Sequence, residues 1–95
     1  MKILAIEADL PDVDTVAMLP LLKAEATRVW DLVQAGVVRE IYFRADRPSA
    51  VLILECANVE EAEHVLATLP LVQARLIAFD IIPLAPYPGF ARLFA

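Results

Sequence analysis

Polar side chains at positions where a strand or a helix would bury them are the chemistry this sequence offers, in three sets. Glu40, Tyr42 and Arg44 recur at a spacing of two, so on a strand a carboxylate, a phenol and a guanidinium share one side, with Arg39 on the other. An arginine so placed can hold a substrate carboxylate as a bidentate pair, and the tyrosine or the glutamate can move a proton. The alternative is that Glu40 and Arg44 pair with each other or with charges of a second chain. Lys23 and Glu25 form the second set. At about 100° per residue each lies roughly 80° from the middle of its helix's apolar stripe, on opposite shoulders. Either both are boundary residues whose stems cover the core edge, or one is a proton-transfer group or carboxylate anchor at the mouth of a helix–sheet pocket. The third set is one acid from each remaining strand, Glu7, Glu55 and Asp80. The first two stand near strand ends, where water reaches them. Asp80, between Phe79 and Ile81, needs a cation or an exposed strand position, because burial alone raises a carboxyl pKa.

Several chemistries are excluded. Two glycines in 95 residues leave no glycine-rich phosphate loop, and neither a nucleophile elbow nor a metal-ligand spacing occurs. Cys56 is the one cysteine, so no intrachain disulfide forms, and it reads as a small buried apolar residue. His64 is the one histidine and reads as a solvated helix residue. No metal and no cofactor is therefore expected. The net charge is −5, and Glu40 and Asp46 are interleaved with Arg39, Arg44 and Arg47, which opposes a nucleic-acid partner. No apolar run reaches the roughly 18 to 20 residues of a membrane span. Met1 to Ala8 lacks the basic region, long apolar core and cleavage site of a signal peptide, so a cytoplasmic protein is expected.

The elements that must position these residues follow from periodicity. Residues 2–8 read as a strand buried on much of both faces. Helical spacing runs from an N-cap at Asp14 or Thr15 to a stop at Gly36, with Leu19, Leu22, Ala26, Val29, Trp30 and Val33 on the sheet-facing side. Pro20 requires a kink, or a separate short turn before the main helix. Residues 37–45 and 50–56 make a hairpin around Asp46-Arg47-Pro48-Ser49, with Ile41 and Phe43 on the side of Arg39, and Val38 on that of Glu40. Asn58 and Glu61 suit a capping box for a second helix, whose stripe is Val59, Ala62, Val65, Leu66 and Leu69 and which Pro70 ends. Residues 75–84 are the last strand. The order is βαββαβ, an α+β, ferredoxin-like domain with a four-stranded antiparallel sheet, covering 1–95 as one unit.

Such a sheet carries helices on one face only. At 60% hydrophobic residues, against roughly 45 to 50% in ordinary domains, the chain has more apolar side chain than two helices can cover. At least a homodimer is expected. The tail, 86–95, carries Tyr87, Phe90, Leu93 and Phe94 and is expected to dock on its own domain or on a neighbouring subunit.

The runs Leu22-Lys23-Ala24-Glu25, Gly36-Val37-Val38-Arg39, Val59-Glu60-Glu61-Ala62 and Leu69-Pro70-Leu71, in this order and spacing, resemble the muconolactone isomerase family over nearly the whole chain. The resemblance implies a dimeric α+β barrel with two sheets face to face, assembled further into a decamer. It also implies a cofactor-independent reaction that moves a proton and a double bond within a small unsaturated lactone acid. Lys23 and Arg39 match the family pattern, and Glu25 replaces a related acid. On that reading Lys23, Glu25, Glu40 and Tyr42 are the proton-transfer candidates, while Arg39 and Arg44 hold the substrate carboxylate. The chain departs from the pattern where Ala26 replaces a second acid after Glu25. It departs again at Ala50-Val51-Leu52, and at Pro86-Tyr87 before Pro88, where family members are more polar. The more apolar pocket leaves two rival readings: a barrel that binds an apolar or aromatic small molecule, and a purely structural oligomerisation module.

Overall fold

Alternate residues of the central strands go to opposite fates, and this divides the sheet into a closed and an open face. The computed structural model describes residues 1–95. Strands β1 (Lys2–Ala8), β2 (Val38–Phe43), β3 (Ala50–Glu55) and β4 (Ala78–Pro83) form one antiparallel sheet in the order β2-β3-β1-β4. Ile3 and Ala5 of β1 and Leu52 and Leu54 of β3 are fully buried beneath the helices. Their neighbours Leu4, Ile6, Val51 and Ile53 point the other way and are half-buried. β4 lies at an edge, where Pro83 removes no needed ladder bond.

A β-bulge at Arg39 resets β2. Val38 pairs with Leu54, but Glu40 already pairs with Ile53, so one residue is inserted between them. Cross-strand partners share a face. Val38, Ile41 and Phe43 therefore lie on the helix side with Leu54, Leu52 and Ala50, while Glu40 and Tyr42 lie on the open side. Strict alternation had grouped Val38 with Glu40, and the bulge corrects it. β2 also stops at Phe43, which leaves Arg44 in the hairpin loop.

Pro20 sits in a separate 3-10 turn, Thr15–Leu21, whose first turn is capped by Asp14 accepting from the Val16 N–H at 2.9 Å. The main helix α1 (Leu22–Gln34) follows, and Gly36, at φ 77°, provides the left-handed stop. Helix α2 (Val59–Leu66) is capped by Asn58, which accepts from the Glu61 N–H at 2.8 Å, while Glu61 accepts from the Ala57 N–H. Pro70 does not merely end α2. It opens a short helix α3 (Pro70–Gln73), where its missing N–H costs nothing at the first helical position. Arg75, at φ 59°, closes α3, so β4 begins at Ala78 and not at residue 75. Ala62, Leu66, Leu69 and Leu32 complete the core with Cys56, whose thiol burial pushes above its ordinary value.

The tail leaves the domain. After β4 a 3-10 turn spans Gly89–Phe94, and Tyr87 meets Phe90 edge to face at 5.0 Å between ring centroids. Leu93 and Phe94 are 75% and 87% exposed. The radius of gyration is 15.4 Å and the longest extent 56 Å, against about 12 Å for the radius of a compact chain of this length. The single chain does not bury this apolar end.

Candidate active site

Between α1 and the closed face of the sheet lies a cavity of about 520 Å³, a size that suits a small organic ligand. Ala26, Val29 and Val33 form its helical wall, and Leu52, Leu69 and Ile77 part of its floor. Leu22, Trp30, Ile41 and Phe43 form an apolar rim, with Trp30 60% and Phe43 76% exposed. Only two lining residues are polar, Glu7 and Glu25.

Glu25 reaches the cavity because the inward side of α1 is centred on Glu25, Val29 and Leu32, the last being the one buried residue of the helix. Of the expected stripe, Leu22, Ala26 and Trp30 stand at the pocket wall and rim, and Leu19 is exposed. Glu25 is thus no shoulder residue. Its Oε1 accepts from the Leu71 N–H at 2.9 Å, an orphan donor in the first turn of α3 that Leu69 does not cap. Burial raises the Glu25 pKa above its ordinary 4.5; the Leu71 N–H works against that rise, and the charge of Glu7 adds to it.

Glu7, expected in water near a strand end, lines the cavity as well. It pairs with Phe79 across to β4 and shares the side of Ile3 and Ala5, which directs it under the helices. Its Oε1 accepts from the Ala50 N–H at 3.3 Å. The parity of Ile3, Ala5 and Glu7 was the available signal, masked by the position of Glu7 near the strand end.

The other candidates lie elsewhere. Lys23 is exposed on α1 and does not line the cavity. Tyr42 donates its hydroxyl proton to Glu40 Oε1 at 2.7 Å on the open face, and that carboxylate pushes the phenol above its ordinary value. Arg39, at the bulge, donates from Nε to the Gly36 carbonyl at 2.6 Å. Arg44 makes a bidentate pair with Asp46 at 2.9 and 2.6 Å, which raises its own pKa and holds Asp46 below the usual carboxylate range. Arg47 pairs with Asp9. Asp80 is exposed on the open face, the strand position it needed in the absence of a cation. No three His, Cys, Asp or Glu side chains come together as a metal site, and no helix is long and apolar enough to cross a membrane.

A four-stranded antiparallel sheet with helices on one face, over a ligand-sized pocket that bears carboxyl groups, defines a ferredoxin-like α+β protein. A family model described as muconolactone delta-isomerase matches residues 4–89, and the chain belongs to that family. The crystal structure of muconolactone isomerase is similar, with a TM-score of 0.75 and 21% identity over 94% of this chain and 93% of that one, which shows the common fold. Among curated proteins none matches the sequence.

Proposed function

We propose that this chain is a cofactor-independent isomerase that shifts a proton and a double bond within a small unsaturated lactone, with Glu25 taking and returning the proton. The observation that carries the reading is the Glu25 carboxyl, fixed through one oxygen by the Leu71 N–H at the wall of an otherwise apolar, ligand-sized cavity. Membership of the muconolactone delta-isomerase family supports the reaction class. Glu25 removes a proton from a carbon conjugated to the lactone carbonyl, and the C–H electron pair spreads over the conjugated system. The carboxyl, whose proton exchanges with water between the two halves, then gives a proton to the far carbon, so a C–H bond forms, the double bond has moved and the carboxylate is restored. A carboxyl whose pKa is raised toward neutrality suits both halves, because it is a stronger base and still a usable acid. Of the four proton-transfer candidates, Glu25 alone stands at the cavity, and we assign the step to it. Assembly belongs to the same proposal: a second copy covers the open sheet face, and the tail docks on a neighbouring subunit.

The test is turnover of muconolactone and uncharged butenolides, followed by ultraviolet absorbance and by deuterium uptake from heavy water. Glu25→Gln keeps a carbonyl oxygen for the Leu71 N–H and removes the base, so kcat should fall by about 100- to 10,000-fold. Undiminished turnover in that variant removes Glu25 from the chemistry. Binding of these compounds without exchange by the unaltered protein favours a barrel that only binds an apolar ligand, a reading that the wholly apolar rim supports.

A further inference from the structure

We propose that the pocket selects an uncharged, apolar unsaturated lactone over one bearing a free carboxylate, and that Glu7 enforces the choice. The inference rests on the isomerase reading of the same cavity and names its substrate class. The two ionisable residues that line the cavity are both glutamates, and no lysine, arginine or histidine is among the lining residues. None of the eight lysines and arginines lines it, and four of them are engaged elsewhere. Arg44 and Arg47 are paired with Asp46 and Asp9 in the hairpin loop and its surroundings, Arg39 is bonded to the Gly36 carbonyl, and Arg28 donates from Nε to the Thr68 hydroxyl at 2.9 Å. A ligand carboxylate entering here would stand against two acids in a medium stripped of water, where like charges repel most strongly. The net charge of −5 adds a weak long-range repulsion of the same sign.

Position explains why Glu7 sets the selectivity. Glu25 is held on α1 by the Leu71 N–H, and Glu7 comes from the sheet below, held by the Ala50 N–H, so the two acids approach the cavity from helix and sheet. Ala26 has no charge to add beside Glu25. The second acid of this pocket is therefore supplied by β1, on the floor that a bound ligand covers. An uncharged lactone leaves both carboxyls facing apolar atoms and its own carbonyl, and it matches Trp30, Ile41 and Phe43 at the rim.

Trp30 is the one tryptophan and lines the cavity, so its fluorescence reports occupancy. The experiment titrates the full-length protein at pH 7.5 with muconolactone, as the carboxylate, and with its methyl ester, and follows deuterium uptake into each from heavy water. The ester should bind at least about tenfold more tightly than the acid. Glu7→Gln, which keeps an oxygen for the Ala50 N–H, should narrow that ratio several-fold by improving the acid. Equal or tighter binding of the acid overturns the proposal, as does a ratio that Glu7→Gln leaves unmoved, or no binding of either compound. Deuterium uptake separates the two readings. A preferred ester that never exchanges keeps the uncharged pocket and removes the isomerase. An acid that binds tightly and exchanges does the reverse.

Discussion

On the helix side of β1 and β3, Ile3, Ala5, Leu52 and Leu54 are sealed from water, whereas the next residue along each strand, Leu4, Ile6, Val51 or Ile53, stays partly wet. Both faces are aliphatic, and they differ in what lies over them. The closed face has α1 and α2 over it, and between α1 and the sheet lies a cavity with Glu7 and Glu25 at its walls. The open face has nothing. Its two cross-strand rows, Glu40-Ile53-Leu4-Ile82 and Tyr42-Val51-Ile6-Asp80, put aliphatic side chains in the middle and polar ones at three of the four margins. An apolar centre with a polar rim is the anatomy of a protein interface. A small sheet can thus hold a carboxyl-bearing cavity under its helices and leave an apolar surface uncovered on the other side, and the proposed chemistry and association divide along that line.

Two adjacent residues of β3 test that division most strongly. Leu54→Ala opens a cavity under the helices and should cost about 2–5 kcal/mol in chemical denaturation, at any protein concentration. Ile53→Ala removes a similar side chain from the half-buried face and should cost about 1 kcal/mol or less when the protein is dilute. Equal losses in dilute solution would mean that the open face is part of the monomer core. A sharper version places a charge on the open face. Ile53→Asp should reduce the mass measured by light scattering to that of one chain, with the far-ultraviolet circular dichroism retained, because an unpaired carboxylate cannot be buried between two sheets. An unchanged assembled mass would show that other surfaces hold the copies together.

The two faces were unequally legible in the sequence. Element order, the turn at Pro20, the stop at Gly36 and the Asn58 cap all follow from local chemistry, since each is decided within a few residues by a missing N–H, a left-handed φ or a side-chain acceptor. The cavity depends on longer-range events. One inserted residue at Arg39 moved Ile41 and Phe43 to the side of Val38, and a bulge leaves no mark in the apolar pattern. The roll of α1 was read from its most apolar arc, but that arc lines an empty space, and the inward side includes Glu25. Glu25 is drawn in by the uncapped Leu71 N–H, a partner 46 positions away. Glu7 was hidden by a general rule about strand ends.

A smaller effect concerns the closed face and pH. The folded pKa of Glu25 lies above its ordinary 4.5, so folding favours the protonated form. The sign follows by linkage: above the raised value the buried carboxylate costs stability, and below about 4.5 the cost disappears because both states are protonated. Glu25→Gln should therefore be more stable than the unaltered protein at neutral pH, with the difference closing as pH falls through that window. Activity has the opposite requirement, since kcat/KM should fall on the acid side through the same raised pKa as the base is lost. A melting-temperature difference independent of pH would place Glu25 in water.

The smallest effect is expected on the open face, at Tyr42. Its hydroxyl donates to Glu40 across two residues of one strand, an exposed contact with water available to both groups. Tyr42→Phe should leave kcat/KM and the melting temperature at the values of the unaltered protein, since Tyr42 does not line the cavity. What should change is the phenol itself. Glu40 holds its proton on by a hydrogen bond and by charge, so Tyr42 should titrate above 10.0, and Glu40→Gln should bring it down toward that value. Absorbance near 295 nm reads both tyrosines, and Tyr42→Phe subtracts the Tyr87 contribution. In the proposed assembly a partner sheet would remove water from the same pair, and desolvation of a phenolate raises its pKa further. The Tyr42 titration should therefore move up on assembly, while the Glu25 limb of the activity profile stays in place. A fall in kcat/KM for Tyr42→Phe without loss of assembly would join the two faces into one site and end the division drawn between them.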